Sequence, residues 1–213
     1  MQPASEISSE QRNWWRIALE LRLRQFHGDS FQEFFSVVMG HLHGSDYVRV
    51  RAYGKLGDKG CDGYLQSNGQ LFQCYGALNG ETNRVATLIK KIKDDFTTAK
   101  TKLGGIMKEW HLVLNLVDGA PVEAIETLEA LKVANPSIKI GLIGKEGIEE
   151  RVFELSGERI ASLLGPSATP VEAKTLDCWR RCKTFQLCRP NICQGGMPAF
   201  MNLAVDNYKA QRP

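Results

Sequence analysis

Residues 57–76 read GDKGCDGYLQSNGQLFQCYG. A glycine-rich turn feeds a tight β-hairpin with an aspartate on one strand and Gln-Cys-Tyr on the other. Asn68-Gly69 suits a two-residue type I′ turn, in which both central positions need φ > 0. On that register Ser67 faces Gln70, Gln66 faces Leu71, Tyr64 faces Gln73 and Asp62 faces Tyr75. Side chains alternate along a strand, so Asp62, Tyr64, Gln66, Leu71, Gln73 and Tyr75 share one face. Directly opposed Cβ atoms lie roughly 5 Å apart. A carboxylate, an amide and a phenol thus gather on one patch, as a metal or phosphate site would use them.

On either side of this hairpin the periodicity changes from two to 3.6. Upstream, residues 8–26 read as a helix with a Ser8–Gln11 capping box and an apolar face of Trp14, Ile17, Ala18 and Leu21. After His27-Gly28-Asp29 a second helix starts at Ser30, carries Phe31, Phe34, Phe35, Val38 and Leu42 inward and ends near Gly44. Residues 47–53 alternate Val48, Val50 and Ala52 against Arg49 and Arg51, a strand with one buried face. Downstream, residues 83–103 form a long amphipathic helix closed by Gly104-Gly105. WHLVLNLV, residues 110–117, and IKIGLI, residues 138–143, read as buried strands. Helices are expected at 121–134, 146–155 and 158–164.

The order α-β-β-β-α-β-α-β-α predicts an α/β domain: a mixed central sheet with an antiparallel hairpin, flanked by helices on both faces. Three segments follow: an N-terminal helix over 1–29, the α/β domain over 30–165, and a linker with a cysteine-containing tail over 166–213.

A chain of 213 residues, 43% hydrophobic and 24% charged, buries a core large enough to fold alone. A net charge of +3 leaves a nucleic-acid partner to be argued from local clustering. No apolar run reaches the roughly eighteen residues of a membrane span, and the opening MQPASEISSEQRNWWR lacks the pattern of a secretory signal. Six cysteines without such a signal point to reduced thiols and a cytoplasmic location.

The element order, with Asp62 and Gln73 on a hairpin after a GDxGxDG turn, resembles the PD-(D/E)xK nuclease superfamily over about residues 30–155. The nearest likeness is to Mrr-like, restriction-endonuclease-like domains of bacterial defence systems, including ABC-three-component systems. The resemblance implies a Mg²⁺- or Mn²⁺-dependent nuclease acting on DNA, with partner subunits in a multi-component system. Asp62 matches the metal-binding aspartate, Gln73 the (D/E) position, and Glu33 the glutamate many members place on the first helix. Tyr75 stands where the family has the lysine that orients or activates water. Lys55 or Lys59 in the turn, or Lys90 or Lys93 on the long helix, would supply a migrated cation.

Phosphodiester hydrolysis needs developing negative charge neutralised and a water activated, and divalent ions on hard oxygen ligands do both. Asp62, Gln73 and Glu33, with the Cys74 carbonyl, are the candidate metal ligands; Tyr75 joins them as a candidate phosphate contact. Each has a plainer reading beside it. Asp62 fits an Asx-type turn residue before Gly63, and Glu33 fits the end of a Ser30 capping box. Gln73 fits an amide bonding a neighbouring strand, and Tyr75 packing. Gly54, Gly57, Gly60 and Gly63 form either a phosphate nest or a flexible turn. Lys90, Lys93 and Lys100 lie along one stripe of the long helix, a nucleic-acid contact or an ordinary solvated face interrupted by Asp94 and Asp95. The tail cysteines Cys178, Cys182, Cys188 and Cys193 are spaced C-x3-C-x5-C-x4-C, away from the paired knuckles of Zn²⁺ sites. Two other functions stand beside cleavage: a catalytically weakened relative that binds nucleic acid or a protein, and a small-molecule-binding α/β domain lacking a nucleotide fingerprint.

Overall fold

The computed structural model describes residues 7–51, 60–78 and 85–167. Lys55, Lys59, most of the glycine turn and the tail cysteines lie outside these residues.

Two helices open the chain, α1 (Ser9–Gln25) and α2 (Asp29–His43). The Ser8–Gln11 box forms as expected: the Gln11 amide N–H donates to Ser8 Oγ (3.2 Å) and the Ser8 N–H to Gln11 Oε1 (3.0 Å). At the head of α2 the outcome differs. Gly28 is the cap residue, Ser30 Oγ bonds back to the His27 backbone, and Glu33 pairs instead with Arg49.

A short 3-10 turn (Gly44–Asp46) leads into β1 (Tyr47–Arg49), β2 (Gly63–Leu65) and β3 (Gln70–Tyr75). Then follow α3 (Val85–Leu103), β4 (Glu109–Leu114), α4 (Val122–Ala134), β5 (Lys139–Ile143), α5 (Lys145–Phe153) and α6 (Gly157–Leu164). The sheet order is β1-β2-β3-β4-β5, antiparallel from β1 to β3 and parallel from β3 to β5. This is the mixed α/β sheet with an antiparallel hairpin that the sequence predicts.

Side-chain alternation divides the interior in two. Phe72, Cys74, Val113 and Ile143 join α1, α2, α5 and α6 on one face; Leu71, Trp110, Leu112, Leu114 and Ile140 join α3 and α4 on the other. Strand β4 is therefore buried along nearly its whole length, as a central strand covered on both sides must be. Edge strand β1 inverts the expected pattern. Tyr47 is buried under α2, its hydroxyl 3.2 Å from Ser36 Oγ, while Val48 is 40% exposed.

Helix α1 is part of this core. Trp14, Trp15, Leu19 and Leu23 are buried in it, and the two indole N–H groups donate to the Pro166 and Gly165 carbonyls (3.1 and 3.0 Å). Asn115, fully buried just past β4, ties α1 to the segment after β3. Its Nδ2 donates to the Phe26 and Ala77 carbonyls (2.6 and 2.8 Å), and its Oδ1 accepts the Ala77 N–H (2.8 Å). Nearby, Gly76 has no room for a side chain: a Cβ there would stand 2.4 Å from the Gly28 nitrogen.

Candidate functional site: the bulged hairpin

The hairpin pairs Leu65 with Gln70, Tyr64 with Leu71 and Gly63 with Phe72. This register lies two positions from the expected one, and residues 66–69 form a four-residue loop. The cause is tertiary. Asp46 accepts the Ser67 N–H and hydroxyl (2.8 and 2.7 Å), and Gln66 bonds the Asp46 and Ser45 carbonyls, so Ser67 is held away from Gln70. Asn68 Oδ1 accepts the Gln70 N–H (3.1 Å). Gly69, at φ 70°, closes the loop, and a Cβ there would lie 2.6 Å from the Ile106 carbonyl oxygen. A two-residue slip preserves which face each side chain takes.

A second irregularity changes the face of one residue. Gly63 is the Cα partner of Phe72, yet the Asp62 N–H also donates to the Phe72 carbonyl (2.7 Å). Two residues thus stand against one, as in a β-bulge, a device that re-aims side chains. Simple alternation would place Asp62 with Tyr64 on the α3 face. The bulge turns it toward α2, where its Oδ1 accepts from Gln32 Nε2 (2.8 Å). Its Oδ2 accepts the Cys74 N–H (2.7 Å), standing in for a backbone carbonyl where the ladder opens. Asp62 is 5% exposed.

Gln73 immediately precedes the peptide that Asp62 grips. It is 2% exposed, and its Oε1 is a buried acceptor without a donor among the described residues. By alternation it belongs with Leu71 and Tyr75 toward α3. Asp62 and Gln73 therefore lie on opposite sides of the sheet at one end of β3, and the single shared face that register counting predicts does not form. Tyr75 is half-buried against the α3 core. Glu33 is ion-paired with Arg49 on β1, whose Nε is buried without a hydrogen bond among the described residues. Arg49 and Gln32 are members of this cluster that sequence reasoning did not single out. The only signal for Arg49 was its place in the alternating strand, and Gln32 carried none.

Around the cluster burial decides the ionisation of two groups. It pushes the Tyr47 phenol well above its ordinary range, with Ser36 opposing, and pushes the Cys74 thiol up, with Asp62 adding to the effect. Neither supplies a base near neutrality. Cys61 and Cys74 are both buried.

The lysines of α3 are dispersed. Lys90 pairs with Asp94, Lys91 with Asp95 (2.6 Å), and Lys100 Nζ lies 2.5 Å from Asn135 Oδ1 at the end of α4. Lys93 is exposed, with no hydrogen-bond or ion-pair partner among the described residues. Also among the described residues, no group of three or more His, Cys, Asp or Glu side chains is arranged to hold a metal ion, and no helix is long and apolar enough to cross a membrane.

Compared with protein-family models, with curated proteins and with solved structures, the chain matches none.

Proposed function

We propose that this is a metal-dependent nuclease-type domain acting on DNA phosphodiesters in a bacterial defence or mobile-element system. One observation carries the reading: a bulge turns buried Asp62 toward α2, the helix that carries Glu33. A buried carboxylate is costly without compensating positive charge, so Asp62 at 5% exposure suits a cation. The donor set is oxygen only, which suits Mg²⁺ or Mn²⁺. Asp62 would hold the ion on the α2 side of the sheet, and Glu33 would join it on leaving Arg49. The ion would neutralise phosphate charge and lower the pKa of a bound water. The chain's own part is to hold the Asp62 carboxylate in place through Gln32 and the Cys74 N–H.

The test is supercoiled plasmid with Mg²⁺ or Mn²⁺, wild type beside Asp62→Asn, with DNA binding followed separately in Ca²⁺. Cleavage by wild type that Asp62→Asn lacks supports the reading. Binding without cleavage by either protein rejects it and leaves the second reading, a nucleic-acid or protein-binding module that does not cut. Two observations favour that second reading: Tyr75 occupies the lysine position, and Glu33 is already neutralised by Arg49.

A further inference from the structure

Beyond the bulged hairpin, the parallel half of the sheet opens a second cleft. The chain leaves β4 for α4 on one face and leaves β5 for α5 on the opposite face. Neighbouring strands whose continuations diverge leave a crevice outside their carboxyl ends, the place where open α/β sheets take ligands. Here that crevice is a pocket of about 500 Å³, walled by Leu114 and Ala120 on the α4 side and by Ile143 and Lys145 on the α5 side. Its volume falls in the range of small-molecule sites. None of Glu33, Asp62, Gln73 and Tyr75 lines it.

The polar groups at its wall are specific. Arg151 lines the pocket and forms no ion pair among the described residues; its Nη1 donates to the Gly147 carbonyl (2.7 Å). Gly147 permits this approach, since a Cβ there would lie 3.4 Å from Nη1 and 3.2 Å from Ile143 Cγ2. The first turn of α5 begins at Gly144 without a side-chain cap, so its N–H groups are available to an acceptor. His111 also lines the pocket and is 9% exposed. Its Nε2 is held by Glu109 (3.0 Å), and its Nδ1 lies over Gly141, without a hydrogen-bond partner among the described residues. Glu146 and Glu150 line the wall as well, while Lys145 is paired with Glu20.

We infer that this crevice is a ligand site for a small organic molecule bearing an oxyanion and, beside it, hydrogen-bond donors. The oxyanion fits Arg151 and the uncapped first turn of α5; the donors fit Glu146, Glu150 and His111 Nδ1. Both a phosphomonoester and an α-amino acid have this chemistry. The two are separated by titrating the ¹⁵N-labelled full chain with adenosine 5′-monophosphate in one arm and L-glutamine in the other. The inference expects saturable amide shifts at Lys145, Glu146 and Gly147 in one arm, below about 10 mM. Arg151→Gln weakens that binding about tenfold or more, the worth of a charge-assisted hydrogen bond. Ala120→Trp, which fills the crevice from the opposite wall, abolishes it while remote amides keep their positions. The absence of saturable shifts at these amides in both arms overturns the inference, as does unchanged affinity in both variants.

Discussion

Asp62 carries structural and candidate chemical roles in one side chain, and substitution separates them. Replacing it with alanine strands the buried Cys74 N–H and the Gln32 amide, so Asp62→Ala loses about 2–3 kcal/mol in urea denaturation. Asp62→Asn keeps an acceptor for the Cys74 N–H, loses the charge, and stays within about 1 kcal/mol of wild type. A larger loss in Asp62→Asn would show that the negative charge itself holds the bulge. His111 makes a pH prediction. Burial holds its pKa below 6.5, Glu109 opposes, and Lys139 and Arg151 add to the depression. In the window below 6.5 the unfolded chain binds a proton that the native chain resists. The contribution of His111 is therefore present above that pH and lost as pH falls. His111→Gln flattens the acid side of the stability profile, and an unchanged acid slope would sink the claim.

Elements are legible where local chemistry decides them. The Ser8–Gln11 box opens α1 as read, because both partners lie within one turn. Ser30 and Glu33 present the same spacing, but Arg49 on β1 captures the glutamate. Strand β1 reads with the wrong face inward, because an edge strand is buried only where a helix happens to cover it. Asn68-Gly69 signals a turn, and the loop is longer because Asp46 binds Ser67. At this scale the exposed face of α3 gives a test. Lys93 is unpaired among the described residues while Lys90 is engaged by Asp94. If α3 touches DNA, Lys93→Gln reduces the slope of log affinity against log salt by about 1, whatever the sequence of the duplex. No change in slope removes α3 from the interface.

At the scale of the whole molecule, α1 completes the core and the termini of the described fold meet through it. Trp15→Ala removes a side chain that is 2% exposed and an indole bond to Gly165, at a cost of about 3–5 kcal/mol; Trp15→Phe costs about 1 kcal/mol. Denaturation midpoints check both, and equal small losses would mean that α1 is not integral to the folding unit. Asn115→Leu frees the carbonyls of Phe26 and Ala77 and speeds hydrogen exchange at the Ala77 amide. By itself the sequence determined the helices, the buried parallel strands and the existence of a hairpin bearing Asp62 and Gln73, because periodicity and capping are local. Only the tertiary structure decided the hairpin register, the bulge that turns Asp62 toward α2, the Glu33–Arg49 pair and the crevice between β4 and β5. Each of these depends on which distant group reaches a backbone donor, a carboxylate or a strand end first, and no spacing along the chain encodes that.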